Sequence, residues 1–369
     1  VSRCSSRGRE DVARFLLPTR ASLLLTSCVG VVFCVCRATQ SLRSPSAQHA
    51  ALTTGHTGRR ILSVGDLHGD ARHAAELLRA LGVMDEQGNW AGGEAVLVQT
   101  GDIVDRGDHS RRIYEMLFQL QDQAPEHGGE VVLLLGNHEL MHMQGDTRYM
   151  TEEDAAEFGG AASCEAAFGP DGWLGARLRR RGQTAALLGP EHGLAEPVVY
   201  VHAGIVSSIA SSYGVKAPAL IAQQGRAGGK ASQASEAGAR IVAKLNEGVR
   251  SLLSGRGESE LSSEHSVLFG DSGPLWTRKL ALGEDPCEDL HRTLTLLNAT
   301  RMVVGHTAQT DGRVHHRCGG RLVLADTLIS EAYSGTSHPS AVEVTPNGCA
   351  YALYPVRGDR QELPCLAGA

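Results

Sequence analysis

Two aspartates and a histidine share the stretch Gly65-Asp66-Leu67-His68-Gly69-Asp70, directly after the apolar run Ile61-Leu62-Ser63-Val64. A turn accounts for the glycines and one aspartate. It does not account for the histidine, nor for the similar word Gly101-Asp102-Ile103-Val104-Asp105-Arg106-Gly107-Asp108 further on. Three more polar words close apolar runs: Gly136-Asn137-His138-Glu139, Val201-His202-Ala203-Gly204 and Val304-Gly305-His306-Thr307. Together they offer Asp66, Asp102, His68, His202, His306 and Asn137. These are the hard and borderline donors that suit a pair of divalent transition metal ions, with Mn, Fe and Zn all accepted. One such word alone is ordinary turn or core chemistry. The whole series, each member after an apolar run, points to a site. His109, His142, His315, His316 and His338 fall in none of these words and are assigned to the surface or to supporting positions.

Donors drawn from distant stretches need a scaffold that brings them to one edge. Residues 59–65, 95–101 and 130–137 read as unbroken apolar strands, and 70–82 and 110–123 as helices, the second with Ile113, Leu117 and Leu120 on one face. Strands of this kind, alternating with helices, form a sheet covered on both faces. In an open α/β sheet the carboxyl ends of the strands face the ligand crevice, and that is where the polar words fall. Further on, 151–158 (with Thr151 and Asp154 as an N-cap pair), 172–182, 239–253 and 288–298 read as helices. Strands are expected at 197–204 and 301–306, and short β segments at 312–318, 320–326, 340–345 and 349–355.

The chain has 369 residues, 42% of them apolar, and a net charge of −6, which offers no argument for nucleic-acid or bulk membrane binding. The first 58 residues read differently. Arg3, Arg7, Arg9, Arg14, Arg20, Arg37 and Arg43 stand against Glu10 and Asp11 around an apolar run at 21–36 that is too short for a comfortable transmembrane helix. We read 1–58 as a leader plus linker: a secretory signal, or a transit peptide to a plastid or mitochondrion. Membrane contact would come only through an uncleaved leader. Residues 59–357 read as one catalytic domain with a low-complexity surface insertion at 222–240 carrying Arg226 and Lys230, and 358–369 as a tail. The cysteines show no CxxC spacing, and a Cys287–Cys318 disulfide is left open, as is glycosylation at Asn298-Ala-Thr.

The five words resemble the calcineurin-like metallophosphoesterases, in their phosphoprotein phosphatase branch, over about residues 60–335. Residues 136–150 (GNHELMHMQGDTRYM), 272–278 (SGPLWTR) and 325–335 (ADTLISEAYSG) are similar to the Shewanella-like protein phosphatases. His202-Ala203-Gly204 departs from the His-Gly-Gly usual in eukaryotic Ser/Thr phosphatases, and a SAPNYC-type segment is absent. This opens phosphotyrosine beside phosphoserine and phosphothreonine as the preferred residue.

The resemblance implies a four-layer α/β/β/α sandwich with two metal ions at the strand ends. Asp66 and His68 would hold one ion, Asp102 would bridge, and Asn137, His202 and His306 would hold the other. It implies a phosphomonoesterase acting on a phosphoprotein or phosphopeptide, in which a hydroxide bridging the ions attacks phosphorus directly. No cysteine sits in the C-x5-R spacing of a covalent tyrosine phosphatase. Arg106 would clamp the phosphate with Asn137, and Arg148 would be a second contact. His138 would protonate the leaving oxygen, oriented by Asp105. Trp276 and Arg278 would either wall the cleft or pack in the core. The rival readings are a dinucleoside polyphosphate hydrolase or phosphodiesterase on the same scaffold, and a catalytically dead phosphoprotein-binding module, which the intact donor set opposes.

Overall fold

The computed structural model describes residues 59–214, 227–254 and 267–366, with side chains in the middle span from Glu236 onward. The leader and linker (1–58), Arg226 and the side chain of Lys230 lie outside the described residues.

The apolar runs become strands β1 (Ile61–Val64), β2 (Val96–Gln99) and β3 (Glu130–Leu133), paired in parallel. Their side chains alternate between two cores. Ile61, Val96, Val98 and Val132 point into one, and Leu62, Val64, Leu97, Val131 and Leu133 into the other. The second core is closed by helices α1 (Ala71–Ala80) and α2 (Ser110–Gln123), through Leu77, Leu78, Ile113, Tyr114 and Leu117. Asp70 starts α1 by accepting the His73 N–H at 3.1 Å, a cap that satisfies one orphan amide of the first turn. Helices α3 (Asn137–Met143), α4 (Glu152–Glu157), α5 (Ala161–Phe168) and α6 (Trp173–Arg181) follow β3. Thr151 Oγ1 caps α4 through the Asp154 N–H, but Asp154 does not reciprocate. Its carboxylate accepts from the amide and hydroxyl of Ser110 at 2.7 and 2.8 Å, and so ties α4 to α2.

A second sheet runs β4 (Ala185–Leu188), β5 (Val198–Val201), β6 (Arg301–Val304), β8 (Leu322–Leu324), β7 (His315–Arg317) in spatial order. Its central strands β5, β6 and β8 are parallel. Ala186, Tyr200, Val303 and Val323 join the first core, so the two sheets face each other. Helices α7 (Ser207–Tyr213), α8 (Ala227–Leu253) and α9 (Cys287–Leu297) cover the outer face. The layers are helix, sheet, sheet, helix, as the sequence led us to expect. The strands β9 (Ala341–Val344), β10 (Ala350–Tyr354) and β11 (Asp359–Leu363) complete the first sheet as an antiparallel meander on the β1 edge.

Two boundaries differ from expectation. The 222–240 insertion gives way at Ala227 to the start of α8. Alanine has the highest helix propensity, and the buried Ile241, Leu245 and Val249 anchor a helix that small polar residues then extend backward. The 358–369 tail contains β11, paired along its length with β10. Asp, Arg, Gln and Glu are weak strand formers, and charged side chains are what an edge strand carries to discourage further pairing. Disulfides join Cys287 to Cys318 and Cys349 to Cys365, leaving the buried Cys164 as the free thiol among the described residues. Asn298 ends α9 in the left-handed conformation, φ 49°.

Candidate active site

The polar words occupy the carboxyl ends of β1, β2, β3, β5 and β6, and they converge on one cleft of about 380 Å³. Asp66, His68, Asp102, Arg106, Asn137, His138, Arg148 and His306 line it. His202 lies fully buried beneath, with Nε2 3.4 Å from Asp102 Oδ2 and 3.0 Å from Asn137 Oδ1.

The backbone is bent to make this convergence. His68, Asp102, Asp105, Arg106 and His306 all adopt positive φ (37°, 55°, 71°, 71° and 61°). Such conformations cost non-glycine residues about 1–3 kcal/mol each and persist only where the surroundings impose them. Gly136 and Gly305 precede the site residues Asn137 and His306 because nothing larger fits. A Cβ on the first would collide with Asp102, and on the second with the carboxylate of Asp66.

Each imidazole is oriented from behind. His68 Nδ1 donates to the Val104 carbonyl at 2.9 Å, His202 Nδ1 to the Thr100 carbonyl at 2.9 Å, and His306 Nε2 to the Trp276 carbonyl at 3.0 Å. A carbonyl only accepts, so the proton sits on the outer nitrogen and the inner nitrogen presents a lone pair. His202 Nε2 and His306 Nδ1 then face each other at 3.2 Å, with Asn137 Oδ1 and Asp102 Oδ2 alongside. On the other side, His68 Nε2 stands 3.8 Å from Asp102 Oδ2 and 4.0 Å from Asp66 Oδ2. Asp102 is common to both groups. Its Oδ1 accepts the His138 amide at 3.0 Å, which leaves Oδ2 as the shared corner.

Acceptors gathered like this repel one another unless a positive charge lies among them, and the protonation behaviour says the same. Burial, followed by the carboxylates of Asp326 and Asp102, pushes the Asp66 pKa well up. Burial, helped by the Asp102 carboxylate, lifts the Asp326 pKa to about 6. His202 is raised although burial opposes it, because Asp102 draws a proton there. His68 is lowered to about 4 and His306 to about 3, mainly by burial. The donor types, their orientation and the crowding of carboxylates all fit cations, with Asp66, His68 and Asp102 on one side and Asp102, Asn137, His202 and His306 on the other.

The remaining expected residues sit around this centre. His138 Nδ1 donates to Asp105 Oδ2 at 2.6 Å and Nε2 faces the cleft, 3.9 Å from Asp102 Oδ2. Burial opposes charge on His138, but Asp102 and Asp105 outweigh it and raise the pKa. The Arg106 guanidinium lies over the rings of Tyr149 and Tyr333, 4.9 and 4.2 Å from their centroids, and its buried Nε has no hydrogen-bond partner. Arg148 also lines the cleft, but its guanidinium is engaged by Asp146 (2.9 and 2.7 Å) and is two-thirds exposed. Trp276 and Arg278 form a wall.

Sequence reasoning passed over Asp326, Glu139, Tyr149 and Tyr333. Asp326 follows the apolar Leu322-Val323-Leu324-Ala325 as the other words follow their strands, so the same signal marks it. Glu139 stood inside a quoted word without a role. Tyr149 comes from a turn and Tyr333 from the one-turn helix Glu331–Ser334, and nothing local announces that they meet at Arg106.

Residues 59–181 match the calcineurin-like phosphoesterase family model. A protein of Schizosaccharomyces pombe is 33% identical over 284 residues, covering 74% of each chain. The chain belongs to the calcineurin-like phosphoesterases. Within this family it is similar to Shewanella-like protein phosphatase 2 of Arabidopsis thaliana, 25% identical over 336 residues covering 78% of this chain and 76% of that one. Its structure is similar to the crystal structure of the cold-active protein-tyrosine phosphatase of a psychrophilic Shewanella species. The TM-score is 0.65 at 26% identity, over 83% of this chain and 80% of that one.

Proposed function

We propose that the chain is a metal-dependent phosphomonoesterase of phosphoproteins, with phosphotyrosine as its preferred substrate. The observation that carries the reading is the convergence of inward-facing lone pairs from His68, His202 and His306 on the shared oxygen of Asp102, in a cleft that also presents Arg106 and His138. Two divalent ions, held by Asp66, His68 and Asp102 and by Asp102, Asn137, His202 and His306, would supply Lewis acidity and a water activated for attack at neutral pH. Arg106 offers a forked donor to two phosphate oxygens. Tyr149 and Tyr333 brace the guanidinium and hold its plane. His138, whose proton affinity Asp102 and Asp105 raise and which Asp105 aims, gives the Nε2 proton to the departing oxygen, so the products are an alcohol or phenol and inorganic phosphate. The exposed faces of Tyr149 and Tyr333 at the rim support an aromatic leaving group, in keeping with the substrate named for the Shewanella enzyme. Two disulfides support an oxidising compartment, consistent with a secretory reading of the leader.

The test is turnover by the purified chain, supplied with Mn²⁺, of paired phosphotyrosine and phosphoserine peptides beside a dinucleoside tetraphosphate and a phosphodiester, with metal analysis of the same sample. We expect hydrolysis of the phosphotyrosine peptide and none after Asp102→Asn. A wild type inert with Mn, Fe and Zn would sink the enzyme reading. Turnover confined to the dinucleotide or the diester would move it to another substrate class.

A further inference from the structure

His142 falls in none of the five donor words, yet the structure gives it a defined place. Asp105 is fully buried, and both of its oxygens are taken by imidazoles: Oδ2 by His138 Nδ1 at 2.6 Å, Oδ1 by His142 Nε2 at 2.7 Å. We propose that His142 is a positioning residue for leaving-group protonation, locking the Asp105 carboxylate so that it aims His138 at the departing oxygen. The proposal rests on the assignment of His138 as the acid.

The geometry favours a directed role over simple core filling. An ionised carboxylate only accepts hydrogen bonds, so both facing nitrogens carry protons. His138 and His142 are four apart on α3 and therefore lie on the same face, one turn from each other. Both reach the same side chain, which comes from a separate loop and has a left-handed backbone (φ 71°). With one donor alone, the carboxylate could rotate and carry His138 with it. A second donor on the other oxygen fixes the carboxylate plane. His142 cannot act on substrate itself. It is buried, absent from the cleft lining, packed on Phe168 with ring centroids 4.6 Å apart, and its Nδ1 faces the sulfur of Cys164 at 4.0 Å.

Core filling predicts that a change at His142 slows all esters alike. Positioning predicts a loss that grows with the need for a proton. The experiment compares kcat and KM for phenyl phosphate, whose leaving oxygen needs protonation, with dinitrophenyl phosphate, whose anion leaves unaided. His142→Leu is expected to lower kcat on phenyl phosphate by about 10–100-fold, part of the 10²–10⁴-fold available to a general acid. The loss on dinitrophenyl phosphate should be about tenfold smaller, with KM and metal content unchanged. His142→Gln, whose amide nitrogen falls near the position of Nε2, should recover most of the loss. If His142→Leu does not fold, His142→Asn, too short to reach Asp105, carries the same expectation. Equal loss on both esters, no loss, loss of metal, or no recovery in His142→Gln overturns the proposal. His138→Gln is the reference. If it too fails to discriminate between the esters, the acid assignment itself is wrong, and the two failures are told apart.

Discussion

Glu139 holds Asp102 by its backbone: the Glu139 carboxylate accepts the Asp102 N–H at 2.9 Å. The same carboxylate takes the amides of Ile103 at 2.8 Å and Gly136 at 2.7 Å and the hydroxyl of Tyr114 at 3.0 Å, all without exposure to solvent. One side chain thus joins the loop after β2 to the first turn of α3 and keeps Asp102 in its left-handed conformation. Glu139→Gln would set an amide donor against a ring of donors. Leaving buried groups unsatisfied costs about 1–3 kcal/mol, and supporting residues of metal sites are worth about 10–100-fold in metal affinity. We expect a lower thermal midpoint and a weaker Mn²⁺ isotherm together. A variant with both at wild-type values would reduce Glu139 to a spacer.

Cation removal should be felt in stability as well as activity. His202 Nε2, His306 Nδ1, Asn137 Oδ1 and Asp102 Oδ2 crowd one point, and a cation there relieves their repulsion in the folded state alone. Binding to the folded state at a hundred times Kd stabilises by about 2.7 kcal/mol. Exhaustive chelation should therefore abolish turnover and lower the calorimetric midpoint, and added Mn²⁺ should restore both. Asp102→Asn should show neither effect. An unchanged midpoint after chelation would contradict the assignment of these donors.

Tyr333 offers a test of substrate class. Its ring lies 4.2 Å from the Arg106 guanidinium and 5.4 Å from the His68 ring, on the rim of the cleft. A phenyl leaving group could pack against it, whereas a serine side chain would gain little. Aromatic pairs are worth about 0.5–1.5 kcal/mol, up to about tenfold in binding. Tyr333→Ala loosens the support of Arg106 for both substrates, and beyond that common change it should raise KM for a phosphotyrosine peptide by up to that factor more than for a phosphoserine peptide. Equal effects on both peptides would remove the ring from substrate selection.

Much of this architecture can be seen in the residue pattern, for reasons that differ by element. The three parallel strands of the first sheet are buried on both faces, so they are unbroken apolar runs with sharp ends, and the polar words at those ends stand out. The helix 110–123 was legible because Ile113, Leu117 and Leu120 share its buried face. β11 was hidden because an edge strand with one buried residue, Leu363, carries the composition of a tail. The start of α8 was hidden because alanine-rich helix and low-complexity linker have similar composition. Within the site, residues attached to strand ends could be found one by one. The Arg106–Tyr333 contact and the Asp105–His142 bond are made by loop and helix geometry, which no local pattern encodes.

Asp289 gives a pH-dependent prediction away from the cleft. Its Oδ1 accepts the Ser207 N–H at the start of α7 at 2.7 Å, and its Oδ2 lies 2.9 Å from Lys279 Nζ. Burial would raise the pKa, but these partners outweigh it and hold the carboxyl below its ordinary value. Lys279 is two-thirds exposed, so the ion pair contributes little. The charged bond to the helix-start amide contributes more, on the order of 1 kcal/mol. The sign follows from the depressed value in the folded state. The charge stabilises fully above the unfolded carboxylate pKa, about 3.9, and its contribution is lost as pH falls through the folded value. Asp289→Asn keeps the acceptor oxygen and drops the charge. Its urea midpoint should lie below that of wild type at pH 7 and pH 5 by the same amount, and the gap should narrow below about pH 4. A gap that stays constant into acid would mean that shape, not charge, is what Asp289 contributes.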